Sequence, residues 1–215
     1  MASGEMSRAQ FVEFLTRAIG STQGHLADGA LLYLFMDWRH IDQLIAAAEA
    51  SDLAYLNLLI WAKTNAGMGT FYRSAYEMVG VFKHGDAPHT NNVNLGRDGR
   101  SRSNLVSYPG VNTFTKGRKK SLALHPTVKP VALMADLILD SSAAGELILD
   151  PFGGSGTTLI AAERTDRVAA LVEIDPGYVD VIVRRFEDAT GETATLASTG
   201  QTFAQLVEER QRGEV

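Results

Sequence analysis

The sequence predicts an α/β fold built around a largely parallel sheet. Three observations point there. Short apolar strand segments alternate with amphipathic helical segments along most of residues 7–189. The strand at 146–150 runs straight into the glycine-rich turn of 148-ILDPFGGSGTT-158 and then into a helix. The strand after it carries an acid, Glu173, close to a further helix start at Asp175-Pro176. Open α/β sheets bind ligands at the carboxyl ends of their strands, where both features fall.

Each element has its own signal. Ser7-x-x-Gln10 is a capping box, and Phe11, Phe14, Leu15, Ala18, Ile19 and Leu26 follow helical spacing behind it. Gly29 ends that region, and 30-ALLYLFM-36 reads as a strand buried on both faces. Residues 38–50 read as a helix with Ile41, Leu44, Ile45 and Ala48 on one face. A strand at 53–63, a loop at 64–74 and a strand at 76–83 follow, with Trp38 and Trp61 assigned to the core. Residues 84–122 lack periodicity and are rich in Asn, Gly, Arg and Ser, so they read as an irregular insert of functional length. Pro130 suits the first turn of a helix whose buried face is Val131, Met134, Leu137 and Ile138. Strand 146–150, helix 155–165, strand 168–174 and helix 176–189 come next, then a linker at 191–200 and a short polar helix at 201–212.

Composition narrows the chemistry. The 215 residues contain no cysteine, which removes disulfides, thiolate nucleophiles and Cys-ligated metals together. The five histidines are scattered without zinc-like spacing, so no metal is expected. No long apolar run and no secretory leader is apparent, and a cytoplasmic, membrane-free protein is expected. The net charge of −5 hides an asymmetry: residues 83–120 carry eight basic side chains against Asp86 and Asp98.

Three cofactors compete for the glycine turn. A P-loop needs a Lys after its last glycine, and Thr157 stands there instead. A dinucleotide fingerprint needs a third glycine where Leu159 stands, so that fit is partial. S-adenosylmethionine has no phosphate and needs close backbone approach, which glycine permits. It suits an acid ending the first strand, Asp150, toward the methionine moiety, and a second acid, Glu173, bidentate on the ribose hydroxyls. Against this, acids at strand ends also serve as helix caps, and Asp175 fits that role alone.

Taken together, 125-HPTVKP-130, 149-LDPFGGSGTT-158 and 172-VEIDPGY-178 resemble the DNA amino-methyltransferases that modify adenine N6 or cytosine N4. The order resembles their permuted β-type group, in which the cofactor half follows the catalytic half. The likeness is densest over 120–189 and looser over 7–119, where it includes 67-GMGTFYRSAYE-77, 89-HTNNVNLGRDGRSRSN-104 and 108-YPGVN-112. It implies a Rossmann-like methyltransferase sheet that uses S-adenosylmethionine. Asp150, Phe152, Gly153, Gly154, Ser155, Gly156, Thr157 and Glu173 would hold the cofactor, with Thr127 and Lys129 closing over its methionine end. The simpler reading of Lys129 is a solvated helix start.

The basic insert becomes the target-recognition region on double-stranded DNA. Phosphate contacts give salt-dependent affinity, and a few side chains read base edges. Arg97, Arg100 and Arg102 are candidates for either task, with His89, Lys119 and Lys120 beside them. Phe71 or Tyr72 would contact a base flipped from the helix, with Arg73 near the backbone. The family frame divides the chain into a catalytic-half remnant (7–83), the recognition insert (84–122), the cofactor half (123–190) and a tail (191–215). Methylation at cytosine C5 is set aside, because its known enzymes use a Cys nucleophile.

One family feature is missing. The resemblance implies [DNS]-P-P-[YFW], which accepts hydrogens from the weakly nucleophilic amine and stacks on the base. No Pro-Pro pair occurs in this chain, and 175-DPGY-178 is better explained as a helix start. In the permuted group the motif comes shortly before the first helix, on a central strand between 146–150 and 30–36. The sheet is therefore expected to be incomplete, as two half-sheets with free edges or as two forced together. Two expectations follow: an N-terminally truncated or internally initiated enzyme that is inactive alone, or a chain completed by a second one, as in a split enzyme or swapped homodimer. The alternative is a non-catalytic DNA-binding or partner subunit retaining the cofactor pocket.

Overall fold

A computed structural model describes residues 6–67, 71–93, 102–110 and 128–213. The chain divides into two compact units, Met1–Phe114 with Leu139–Ala143, and Thr115–Ile138 with Ala144–Val215. None of the described helices is long and apolar enough to cross a membrane.

The first unit is a four-stranded sheet with two helices. Its elements are α1 (Arg8–Gln23), β1 (Leu31–Met36), α2 (Ile41–Glu49), β2 (Ala54–Ala62), β3 (Tyr76–Lys83) and β4 (Leu105–Ser107). The Ser7 capping box forms: Ser7 Oγ accepts from Gln10 N, and Gln10 Oε1 accepts from Ser7 N at 2.9 Å. Ile19 of α1 meets Leu44, Ala47 and Ala48 of α2 together with Leu53 and Phe82 in one apolar core, with Leu32 and Leu34 of β1 packed against it.

The strand order is β1-β3-β2-β4. β3 runs antiparallel to both β1 and β2, whereas β2 and β4 are parallel. A largely parallel sheet was expected, and β3 is the exception. It follows β2 through a direct return at residues 63–75, whereas β1 and β2 are joined through helix α2 and share one direction. β4 lies inside the segment read as irregular; at three residues it is too short to show a period.

Two further expectations are corrected here. β1 is half-buried at every position rather than buried on both faces, and among the described residues it pairs only with β3. Trp38 is 50% exposed, with the Arg39 guanidinium 4.8 Å above its ring, so it is not a core residue. Trp61 is buried as expected, and its indole Nε1 donates to the Tyr108 carbonyl at 2.9 Å.

The chain after β3 is tied down by helix α3 (Val131–Ser141), whose last turn belongs to this unit. Asn92 Nδ2 donates to the Leu139 and Ser142 carbonyls at 2.8 and 2.9 Å, and its backbone N donates to the Asp140 carbonyl. These are the carbonyls that a helix end leaves without partners.

The second unit holds the start of α3, β5 (Leu147–Asp150), α4 (Thr157–Glu163), β6 (Val168–Leu171), α5 (Pro176–Thr190) and α6 (Phe203–Arg212). β5 and β6 pair in parallel, Leu147 with Val168 through Asp150 with Leu171. Ile138, Ala161 and Ala162 form the core on which Ile148 and Ala169 pack. As expected of an incomplete sheet, β5 pairs only with β6 among the described residues, in a sheet separate from the first. Asp175 caps α5 by accepting from Gly177 N at 2.7 Å, with Pro176 opening the helix. That is the helix-start role assigned to 175-DPGY-178.

Candidate functional site

The site is built where β5 and β6 end side by side. Asp150 is the last residue of β5, and the turn after it leads through Phe152, Gly153, Gly154, Ser155 and Gly156 into α4. Glu173 lies two residues beyond the end of β6. The parallel register brings both carboxylates to the same end of the sheet.

Their hydrogen bonds are specific. Asp150 Oδ1 accepts from Phe152 N at 3.0 Å, and its Oδ2 accepts from the Thr158 hydroxyl at 2.6 Å. Glu173 Oε2 accepts from Gly154 N at 2.6 Å, and its Oε1 accepts from Asp175 N at 3.0 Å. Glu173 thus ties the glycine turn to the start of α5. An ionised carboxylate has about four acceptor sites, so each acid keeps capacity for a ligand beyond these bonds.

The turn is also shaped by packing. Gly156 has φ +74°, and a Cβ there would meet Ile182 Cγ2 at 2.9 Å. Gly153 N donates to the Val172 carbonyl at 2.8 Å. Gly154 takes φ +53°, the left-handed region that glycine enters without strain. Ser155, Thr157 and Thr158 are buried polar residues, while Phe152 is 62% exposed. Arg185 of α5 donates to the Ser155 carbonyl, and burial pulls its guanidinium below the ordinary value.

Of the remaining cofactor candidates, Lys129 is half-buried, and its carbonyl accepts from the Thr157 hydroxyl at 3.4 Å, placing its backbone beside the start of α4. Thr127 lies outside the described residues. Three residues of this site carry roles that the sequence did not announce. Thr158 is the second Thr of the SGTT run and was visible as such. Ile182 and Arg185 lie on α5 and carry no local signal of their role against the turn.

The DNA-facing candidates among the described residues belong to the first unit. Phe71 and Tyr72 are 84% and 89% exposed on the β2–β3 return, with ring centroids 4.3 Å apart, and Arg73 beside them is exposed. Gly67 N donates to the Ser74 carbonyl at 2.8 Å, so the return is braced just below them. His89 is half-buried on the segment leaving β3.

Arg102 requires a correction. Its Nε lies 3.0 Å from Asp140 Oδ2, with side chains only 18% and 9% exposed. Its Nη2 donates to the Tyr108 hydroxyl at 3.2 Å. Tyr33 shares this cluster, and burial pushes its phenol above the ordinary value. A guanidinium bound this deeply is an internal tie and not a phosphate clamp. Arg97, Arg100, Lys119 and Lys120 lie outside the described residues.

Comparison with known proteins matches residues 2–184 to the N6/N4 DNA methylase family. Type II methyltransferase M2.MboI of Moraxella bovis is 27% identical over 191 residues, covering 86% of this chain and 68% of that protein. Type II methyltransferase M2.DpnII of Streptococcus pneumoniae is 31% identical over 155 residues, covering 68% of this chain and 56% of that protein. The chain thus spans between 56% and 68% of the length of these two relatives. Among solved structures, PvuII DNA methyltransferase (cytosine-N4-specific) aligns with a TM-score of 0.70 at 18% identity, covering 86% of this chain and 74% of that one. The M1.HpyAVI–S-adenosylmethionine complex aligns at 0.61 with 20% identity, covering 81% of each chain. At these identities the structural likeness speaks for the fold.

Proposed function

Because the chain belongs to the N6/N4 DNA methylase family, we propose that it binds S-adenosylmethionine at the β5–α4 turn and serves methylation of an exocyclic amino group on double-stranded DNA. The observation that carries this is the pair of carboxylates, Asp150 and Glu173, flanking one glycine turn at the ends of adjacent parallel strands. The residues fit the cofactor chemically. Asp150 offers acceptor capacity to an ammonium group, and both Glu173 oxygens keep sites for a ribose diol. Gly153 and Gly154 present backbone without side chains, and the exposed Phe152 ring offers an apolar surface beside it. Lys129 and Thr127 close the methionine end.

When bound, the cofactor supplies an electrophilic methyl group on its sulfonium. The chain's own residues hold and orient it, and residues between 71 and 122 meet the DNA. Phe71 or Tyr72 contacts the flipped base, with Arg73 near the DNA backbone, and the 84–122 segment, His89 included, reads the target. We favour adenine N6 over cytosine N4, since a purine gives the exposed aromatic pair the larger stacking area.

The 215 residues contain no [DNS]-P-P-[YFW] segment to accept the amine hydrogens. This chain by itself therefore does not transfer methyl groups. A segment carrying that motif completes it, either within a longer protein or on a second chain, including a swapped second copy. The same observation favours a second reading, a DNA-binding or partner subunit that keeps the cofactor pocket. Transfer of labelled methyl groups to unmethylated DNA separates them. The first reading predicts none from the chain alone and transfer once a motif-bearing segment of a relative is added. Transfer by the chain alone at enzymatic rates contradicts both. Persistent silence with the added segment, alongside DNA and cofactor binding, selects the second. Digestion of a labelled product to nucleosides identifies the base.

The charged segment makes its own prediction. Replacing Arg97, Arg100, Lys119 and Lys120 by alanine lowers DNA affinity for all sequences, and the log–log salt slope shrinks by about 0.9 for each phosphate no longer neutralised. Filter binding across salt concentrations measures this, and an unchanged slope removes the segment from the interface.

A further inference from the structure

We propose that Thr158 is a positioning residue for the amino-acid end of the cofactor, acting through Asp150. This rests on the reading of the β5–α4 turn as an S-adenosylmethionine site. Thr158 is 5% exposed in the first turn of α4, and its hydroxyl donates to Asp150 Oδ2 at 2.6 Å. That length is typical of a hydroxyl donating to an ionised carboxylate, one of the stronger hydrogen bonds in proteins. The other Asp150 oxygen accepts from Phe152 N at 3.0 Å. With one donor on each oxygen, both the carboxylate's plane and its rotation about Cβ–Cγ are set.

Three helical threonines elsewhere in this chain spend their hydroxyls on their own helix, whereas Thr157, next to Thr158, reaches the Lys129 carbonyl. Thr16 donates to the Val12 carbonyl, Thr22 to Ile19 and Thr190 to Phe186. At position 158 the residue four back is Gly154, in the turn and not in the helix, so that outlet is not offered. The nearer Ser155 carbonyl accepts from Arg185. The hydroxyl goes instead to a carboxylate eight residues away.

Thr158 thus does not touch the ligand. It fixes the lone-pair directions that Asp150 presents to an ammonium group, so less ordering remains to be done on binding. A merely structural role, bracing the turn between β5 and α4, would affect every ligand of the turn alike. The two roles separate when ligands with and without the amino-acid moiety are compared.

The experiment is calorimetric titration of the chain and its variants with S-adenosylmethionine, S-adenosylhomocysteine and 5′-methylthioadenosine, the last lacking the ammonium and carboxylate. Thr158→Val is expected to weaken the first two about tenfold and to leave 5′-methylthioadenosine within about twofold, a tenfold change being one charge-assisted bond's worth of orientation. Thr158→Ser keeps the hydroxyl and restores selectivity. In an Asp150→Asn background, Thr158→Val adds nothing further. Equal weakening of all three ligands, or none, overturns the proposal, as does additivity with Asp150→Asn. Should Thr158→Val fail to fold, the Thr158→Ala and Thr158→Ser pair carries the same comparison. A wild-type chain that binds none of the three refutes the reading of the site itself, and this proposal with it.

Discussion

Replacing Glu173 by alanine weakens S-adenosylmethionine binding about a hundredfold, because two hydrogen bonds to a charged group contribute about 1.5 kcal/mol or more each. The expectation has two sources, one in the proposed reading and one in the geometry. In the proposed site, the bidentate hydrogen bonds from the ribose hydroxyls are lost outright. In addition, Gly154 N and Asp175 N are deprived of the acceptor they reach at 2.6 and 3.0 Å, so the turn and the start of α5 are no longer tied together. Glu173→Gln retains one acceptor oxygen and falls between the two. Calorimetry on the folded variants measures both, and an unchanged affinity for Glu173→Ala removes Glu173 from the site.

The second large effect is on stability. Asp140→Ala removes the carboxylate that pairs with the buried Arg102 guanidinium, which destabilises the chain by about 3–5 kcal/mol. The pair lies at 3.0 Å with both side chains largely buried, so solvent screens it little. Denaturant unfolding followed by tryptophan fluorescence, with Trp38 and Trp61 both in the same unit, reads this destabilisation. Replacing both partners together by apolar residues recovers most of it, since no charge is then stranded. Arg102→Ala likewise acts on stability. If it instead reduced the salt slope of DNA binding with unfolding unchanged, the assignment of Arg102 as an internal tie would be wrong.

Much of the second unit was legible in the sequence because its signals are local. The Asp175-Pro176 helix start and the glycine turn between β5 and α4 each depend on residues a few positions apart, as does the Ser7–Gln10 capping box of the first unit. The rest of the first unit was harder. Arg102 and Asp140 are 38 positions apart, so nothing local marks that arginine as an internal partner rather than a DNA contact. Trp38 is apolar enough to suggest the core, yet it sits between β1 and α2 with one face under Arg39 and half its surface in water. The direction of β3 depends on how a loop returns, which residue type does not encode. Glu173 illustrates the middle case. Its place at a strand end was readable, but its grip on Gly154 N was not, because that bond exists only once β6 lies beside β5.

We read the chain as one that holds a methyl donor at its glycine turn, with no [DNS]-P-P-[YFW] segment among its 215 residues. That account depends first on what the glycine turn binds. The most direct measurement is a pair of calorimetric titrations of the 215-residue chain, one with S-adenosylmethionine and one with NAD. The account predicts saturable binding of S-adenosylmethionine, weakened by Glu173→Ala, and no binding of NAD. Binding of NAD with none of S-adenosylmethionine would contradict it.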